Sequence, residues 1–183
     1  MQNDISGKKA AIVAMDYFEE SELFSPLEAL REAGAEVDVI APKAGEIKSL
    51  RHVDPGKSVK VDKLLGEADP ADYDALVVPG GVVNADTLRM VEEARSFIIK
   101  IMDEDEKPTA VICHGPWLLV SSHLARGRKL TSFYTIQDDM VNAGAEWVDE
   151  EVVIDGNLIT SRRPADLPAF NKALIGALAG ARV

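Results

Sequence analysis

Short apolar runs separated by longer amphipathic segments are the feature that most limits how this chain folds. The first run, Lys9–Met15, is continuously apolar, which is typical of a strand buried on both faces of a parallel sheet. Further strands are predicted at 36–41, 74–79 and 109–112. Strands that alternate with helices predict an α/β fold, in which helices cover both faces of a mainly parallel central sheet.

The segments around these strands predict helices and two hairpins. The predicted helices cover 21–33, 86–105, 115–125, 136–143 and 166–179, and a short strand is predicted at 130–133. The turn residues Asp54-Pro55-Gly56 predict a small hairpin within 46–63, and Asp155-Gly156-Asn157 joins predicted strands at 147–154 and 158–161. Because no linker or repeat interrupts the pattern, residues 1–183 are predicted to form a single domain.

Composition excludes several classes of function. The net charge is −11 and no run of lysine or arginine exceeds two residues, so neither nucleic acid nor a membrane is expected as a partner. One cysteine excludes an internal disulfide, and together with three scattered histidines it makes a poor zinc set. We expect no metal and no cofactor. A polar N-terminus and the lack of a membrane-length apolar segment predict a cytoplasmic protein.

The single cysteine, Cys113, lies where the strand at 109–112 turns into the helix predicted from Gly115. A strand that turns sharply into a helix presents the residue at the turn, as in a nucleophile elbow. The positive end of a helix dipole would favour the thiolate form of this cysteine. The alternative is that Cys113 is a small buried hydrophobic residue, as most lone cysteines are.

Loops from separate parts of the sequence are expected to meet at the carboxyl edge of the sheet, where ligands bind in open parallel sheets. Glu19 and Glu22 follow the first strand, and Gly80-Gly81 follows the third. A protonated glutamate could donate a hydrogen bond to the thiolate. Backbone N–H groups of Gly80, Gly81 and Gly115 are candidate donors to an oxyanion, although a Gly-Gly pair is also an ordinary tight turn.

His114 is the candidate base for Cys113. Adjacent side chains usually diverge, and an imidazole that acts as a base needs a carboxylate to orient it, so a second residue is required. The other histidines, His52 and His123, are predicted to be surface or turn residues without a role.

Beyond these single positions, the chain strongly resembles the PfpI family of intracellular cysteine peptidases. The resemblance extends from Lys9 to about Leu178, and its motifs stand in order at family spacing. They are Phe18-Glu19-Glu20-Ser21-Glu22, Val78-Pro79-Gly80-Gly81, Ile112-Cys113-His114-Gly115-Pro116, Arg126-Gly127-Arg128-Lys129-Leu130-Thr131-Ser132, 138–146 and 161–168. The resemblance implies a flavodoxin-like three-layer sandwich, related to the class I glutamine amidotransferase fold, and a homodimer or larger homo-oligomer.

The resemblance also implies roles for particular residues. Cys113 is the nucleophile, Glu22 occupies the position of the glutamate that hydrogen-bonds the cysteine, and Glu19 occupies a second acidic position of the pocket. In peptidase members a glutamate from a neighbouring subunit completes the Cys-His pair, and here Asp86 stands at that position, one methylene shorter. A tyrosine found near the pocket of some relatives is replaced by Phe133, with Tyr134 beside it.

Members of this family include peptidases, chaperone-like stress proteins, and glyoxalases or deglycases. The expected function is therefore that of a stress-response hydrolase with a nucleophilic cysteine, acting on peptides or on small carbonyl adducts. The alternative is a redox sensor or chaperone that works through oxidation of Cys113. A glutamine amidotransferase is disfavoured, because such domains carry a later His-x-Glu and no histidine follows His123 here.

Overall fold

The computed structural model describes residues 4–104 and 106–180, and alternating strands and helices run through both ranges. The strands are β1 (Lys9–Val13), β2 (Phe18–Glu19), β3 (Glu36–Ala41), β4 (Glu46–Arg51), β5 (Asp54–Lys60), β6 (Lys63–Leu64), β7 (Ala75–Val78), β8 (Thr109–Ile112), β9 (Lys129–Leu130), β10 (Glu146–Trp147), β11 (Val153–Asp155) and β12 (Leu158–Ser161). The helices are α1 (Glu20–Glu32), α2 (Val82–Leu88), α3 (Glu92–Met102), α4 (Trp117–Ser121), α5 (Gln137–Asn142) and α6 (Leu167–Leu178).

The central sheet has seven strands in the order β11-β12-β8-β7-β1-β3-β6. Its neighbouring strands are parallel, except that β11 runs antiparallel to β12. From β1 the chain moves to β3 on one side and later to β7 and β8 on the other, so the strand order reverses beside β1. Ligands bind at such a reversal, outside the carboxyl ends of the strands.

Both faces of the sheet are buried, as the apolar strands predict. Along β1, Ala10 and Ile12 face a core that α1 and α6 complete, whereas Ala11 and Val13 face a core that includes residues of α3. Successive side chains of a strand point to opposite faces, so one short apolar run serves both cores. The result is the predicted α/β three-layer sandwich with a mainly parallel central sheet.

Two predicted boundaries were wrong for local reasons. The first hairpin turns at His52-Val53, and Asp54-Pro55-Gly56 lies in β5. The helix predicted over 86–105 is two helices, α2 and α3, interrupted around Met90. The Thr87 hydroxyl donates to the Val83 carbonyl at 2.7 Å, the kind of side-chain bond that competes with a regular helix and bends it.

Three other predicted elements are shorter or divided. The strand predicted at 147–154 is divided, because β10 pairs with β9 while β11 pairs with β12. An acidic run, Asp149-Glu150-Glu151, lies between them, and Asp149 forms an ion pair with Arg162 at 2.7 Å. The predicted strand at 130–133 reduces to β9, and the helix predicted over 115–125 reduces to α4. Among helices in the described ranges, none combines the length and apolarity that a bilayer crossing requires.

Candidate active site

Cys113 lies at a sharp elbow between β8 and α4. Its φ angle is 64°, which is uncommon for a residue other than glycine. This conformation is strained, so hydrogen bonds from the surrounding structure must stabilise it. The Cys113 N–H donates to the Ser161 carbonyl at 3.0 Å, and its carbonyl accepts from the Phe133 N–H at 2.8 Å. The side chain is 7% exposed. The nucleophile-elbow geometry predicted from the strand–Cys–helix pattern is therefore present.

The helix whose dipole was expected to act on this thiol is short and begins beyond the elbow. The helix α4 begins four residues beyond Cys113, at Trp117, and is five residues long. Burial raises the pKa of the Cys113 thiol, while the N–H groups of Gly81 and His114 act in the opposite direction. The thiolate expected at Cys113 therefore stays a prediction, and the N–H groups of Gly81 and His114 are the contacts that favour it.

Glu22 lies beside Cys113, at the acidic position that the resemblance implied. It lies in the first turn of α1 and is fully buried, and its Oε2 accepts the Gly80 N–H at 2.8 Å. The other oxygen, Oε1, has no hydrogen-bond partner of regular geometry in the described part of the chain. Burial raises the pKa of Glu22 to about 8, so the carboxyl is protonated at neutral pH and can donate to the sulfur of Cys113.

His114 does meet Cys113, although the two are adjacent in sequence. The left-handed backbone at Cys113 brings His114 Nδ1 to 3.3 Å from Cys113 Sγ. The imidazole stacks on Phe133, with ring centroids 4.9 Å apart, and meets the edge of Trp117. Burial lowers the pKa of His114, so the ring is neutral at pH 7 and one ring nitrogen can accept a proton.

The group that orients His114 within the chain is a hydroxyl. Thr135 Oγ1 lies 3.3 Å from Nε2 of the imidazole. If Nε2 donates to this hydroxyl, Nδ1 is left as the acceptor that faces the thiol. Asp86 lies exposed on α2 and does not line the pocket of its own chain, so its role toward a neighbour's His114 stays a prediction.

The glycine loops contribute less to an oxyanion site than predicted. The Gly80 N–H bonds to Glu22, and the Gly115 N–H donates to the Ile112 carbonyl at 2.9 Å, so neither is free for a substrate. The N–H groups of Gly81 and His114 face the sulfur of Cys113 instead. Gly80 has a steric role, because a Cβ there would lie 2.6 Å from the Cβ of Cys113 and 2.4 Å from Glu22 Oε2.

These side chains line a cavity of about 490 Å³ at the carboxyl edge of the sheet. Glu19 forms part of its wall, as predicted, and its Oε2 accepts the His52 N–H at 3.0 Å. The remaining lining comes from the first hairpin, the start of α2 and the loop after β12. The lining residues are Glu19, Glu22, His52, Val53, Gly81, Val82, Cys113, His114, Phe133, Arg163, Pro164 and Ala165.

Comparison with known proteins identifies the family. The model of the DJ-1/PfpI family matches residues 8–177. A deglycase of Thermococcus kodakarensis, TK1284, is 46% identical over 167 residues, which are 91% of this chain and 97% of the relative. The putative cysteine protease YraA of Bacillus subtilis is 40% identical over 171 residues, covering 93% of this chain and 98% of the relative. The chain belongs to the DJ-1/PfpI family.

Solved structures show the same fold. A two-domain protein of Anabaena variabilis, with DJ-1/ThiJ/PfpI-like and ferritin-like domains, superposes with a TM-score of 0.89 at 37% identity. The match covers 96% of this chain and 49% of that protein. Drosophila melanogaster DJ-1beta superposes with a TM-score of 0.84 at 29% identity, covering 94% of this chain and 91% of that one.

Three polar residues of this DJ-1/PfpI protein that line the pocket or contact its histidine were assigned no role from the sequence. Arg163 lies within the 161–168 motif and Thr135 follows Tyr134, but nothing in the local pattern shows that Arg163 lines the cavity or that Thr135 contacts His114. His52 was predicted to have no role, yet it lines the cavity because the hairpin turns two residues earlier than predicted. The signal available for Arg163 was position, since it follows β12 at the carboxyl edge of the central sheet.

Proposed function

We propose that this DJ-1/PfpI protein is a cysteine-dependent hydrolase of small carbonyl compounds and their adducts, with Cys113 as nucleophile and His114 as general base. The 3.3 Å approach of His114 Nδ1 to Cys113 Sγ is the observation that carries the proposal. It gives a protonated thiol a route to lose its proton during attack. The deglycase named among the relatives supports this substrate class.

A 1,2-dicarbonyl such as methylglyoxal illustrates the chemistry. The thiol of Cys113 adds to the aldehyde carbon, and its proton passes through His114 to the aldehyde oxygen. The base then moves the hydrogen of that carbon, as a proton, to the neighbouring carbonyl carbon, which leaves a thioester. Water cleaves the carbon–sulfur bond to release lactate and the thiol. The net change is addition of one water, because one carbon is oxidised while its neighbour is reduced.

The remaining groups of the site stabilise charge during these steps. Addition puts negative charge on the former carbonyl oxygen, whose carbon is bonded to Cys113 Sγ. The N–H groups of Gly81 and His114, which face this sulfur, are the candidate donors to that oxygen. Protonated Glu22 donates toward the sulfur when it leaves as thiolate. None of these contacts requires a second subunit.

Peptide hydrolysis is the second candidate, supported by the relative named as a putative cysteine protease. Expulsion of an amine requires a base that returns its proton, and the hydroxyl of Thr135 orients His114 less strongly than a carboxylate does. Asp86 of a neighbouring subunit would supply that carboxylate. Deglycase-type turnover is therefore expected to survive loss of Asp86, whereas peptidase activity is not.

A homo-oligomer in the cytoplasm, acting in the stress response, is part of the proposal. At the start of α2 the side chains of Val82 and Val83 are 54% and 44% exposed, beside the cavity and four or three residues from Asp86. Exposed apolar side chains at such a position favour contact with another protein surface. Light scattering on the wild type and on Val83→Asp tests this, and an unchanged mass would contradict the placement of the interface.

The function is tested by two assays on one set of proteins: lactate formation from methylglyoxal and cleavage of a fluorogenic peptide. We expect Cys113→Ser to lose both activities, and Asp86→Asn to lose peptide cleavage alone. Asp103→Asn, the same change at an exposed site at the end of α3, is the control. Wild-type lactate formation by Cys113→Ser would refute the proposal. Loss of lactate formation in Asp86→Asn alone would show that an intersubunit acid is required.

A further inference from the structure

We propose that the Cys113 pocket selects substrates that carry a carboxylate, and that Arg163 is the residue that binds it. The inference rests on the proposed function, because it names the class of carbonyl adduct that the same pocket accepts. Arg163 directly follows Arg162 beyond the carboxyl end of β12 and lines the cavity that contains Cys113.

The two neighbouring arginines differ in what they contact. Arg162 is fully engaged: its Nε and Nη2 donate to the carboxylate of Asp166 at 2.9 and 3.0 Å, and its Nη1 donates to Asp149 at 2.7 Å. In the ranges 4–104 and 106–180, no carboxylate or carbonyl comes within bonding distance of the Arg163 guanidinium. Arg162 thus stabilises the loop after β12, whereas the guanidinium N–H groups of Arg163 are available to bind a ligand.

The backbone beneath Arg163 is fixed, so its side chain starts from a defined place. The Arg162 N–H donates to Asp166 Oδ2 at 3.0 Å, and the Asp166 N–H donates back to the Arg163 carbonyl at 2.9 Å. Pro164 then begins a short 3-10 turn that extends to Asp166. A guanidinium presented from a fixed loop loses less entropy on binding a carboxylate than one on a mobile segment.

Other polar side chains of the pocket already have partners, although Oε1 of Glu22 has none of regular geometry among the described residues. Glu19 accepts from the His52 N–H, Glu22 accepts from Gly80, and the nitrogens of His114 face the thiol and Thr135. Glu19 is not within 4.0 Å of a guanidinium nitrogen of Arg163, so the cavity has an acidic wall at the hairpin and a basic wall at the loop after β12.

Charge explains why such a basic wall would set selectivity. The whole chain carries a net charge of −11, so an anionic substrate meets a repulsive field as it approaches. A guanidinium binds a carboxylate through two parallel N–H···O bonds, which fixes orientation as well as position. A carboxylate seated on Arg163 leaves the carbonyl end of the same molecule to face Cys113 in the cavity.

A pair of thiol reagents of the same size tests the inference without turnover. Iodoacetate carries a carboxylate and iodoacetamide a neutral amide, and each alkylates a thiol: a carbon–sulfur bond forms, iodide leaves and the thiol proton goes to solvent. Cys113 is the only cysteine in the sequence, so the modified residue is unambiguous. The iodoacetate-to-iodoacetamide rate ratio, measured by mass spectrometry, is divided by the ratio for free N-acetylcysteine.

Arg163→Gln is compared with Arg126→Gln, which removes the same charge at an exposed position outside the cavity. Because Arg163 is exposed to solvent, its contact with a carboxylate is screened, and we expect the normalised ratio to fall about threefold in Arg163→Gln only. An unchanged ratio, or an equal fall in Arg126→Gln, would overturn the inference. Failure of both reagents to modify the folded wild type would also overturn it, because the pocket must admit a small anion.

A turnover measurement separates this inference from the proposed function. Methylglyoxal adducts of N-acetylcysteine and of N-acetylcysteinamide differ only in carboxylate against amide. We expect the KM of the carboxylate adduct, divided by that of the amide adduct, to rise about threefold in Arg163→Gln. The same quotient should stay at the wild-type value in Arg126→Gln. If the wild type turns over neither adduct, the proposed hydrolase function fails, while the alkylation ratio still decides the role of Arg163.

Discussion

The buried carboxyl of Glu22 makes the stability of the fold depend on pH in an unusual direction. Its pKa rises from 4.5 in the unfolded chain to about 8 in the folded protein, so the folded state binds the proton more tightly. The stabilisation that this proton provides is complete below pH 4.5 and is lost as pH rises toward 8. Most carboxylates that are paired in folded proteins behave in the opposite way, since acid destabilises them.

Glu22→Gln isolates this effect, because glutamine has the shape of a protonated glutamate. Its carbonyl can accept the Gly80 N–H and its amide can donate toward Cys113, but it carries no titrating proton. Between pH 5 and pH 8 the unfolding free energy of the wild type is expected to fall by about 3 to 4 kcal/mol relative to that of the variant. The slope of this loss is at most about 1.4 kcal/mol per pH unit.

The assay is urea unfolding followed by the fluorescence of Trp117 and Trp147, at fixed protein concentration, between pH 5 and pH 8. Glu20→Gln is the matched control on the same helix. The pKa of Glu20 is lowered by the Lys57 N–H and the Ser49 hydroxyl, so it stays ionised over this range. The Glu20→Gln curve should therefore run parallel to that of the wild type. A Glu22→Gln curve that also runs parallel would refute the assignment of the proton to Glu22.

Three further substitutions test how the site is held together. Gly80→Ala places a Cβ 2.4 Å from Glu22 Oε2, and we expect it to cost about 2 kcal/mol of stability and most of the activity, measured by unfolding and by lactate formation. Thr135→Val removes the hydroxyl 3.3 Å from His114 Nε2 and should lower kcat about tenfold at unchanged stability; an unaltered kcat would contradict its orienting role. Asn84→Ala removes bonds to the Met15 N–H and to the Gly80 carbonyl, and a loss of less than about 1 kcal/mol would show that the Gly-Gly loop does not depend on this amide.

The sequence was sufficient to predict the sheet, because strands buried on both faces are continuously apolar, as in Lys9–Met15. Helix boundaries were harder, since they depend on single side chains. The Thr87 hydroxyl bonds to the Val83 carbonyl shortly before the break near Met90, and no periodicity in the sequence reports that bond.

In the site, residue types and strand ends predicted Cys113, and the resemblance added Glu22, but the protonation states had to come from burial. A thiolate was expected at Cys113 because the helix was predicted to begin at Gly115, two residues before α4 begins. His114 was predicted as the base for Cys113, but their contact could not be derived from the sequence, since it depends on a left-handed backbone angle at a residue that is not glycine. Arg163 could not be separated from Arg162 in the sequence, because only their partners differ.

The bonds of the Cys113 backbone have a consequence for local motion. Its N–H donates a hydrogen bond to Ser161, at the end of a core strand. Its carbonyl accepts a hydrogen bond from Phe133, whose ring stacks on His114. The nucleophile therefore has no loop of its own that can open while the rest stays folded, and its amide hydrogen should exchange only through global unfolding. In denaturant, activity and native structure are then expected to disappear together, without a folded but inactive state between them.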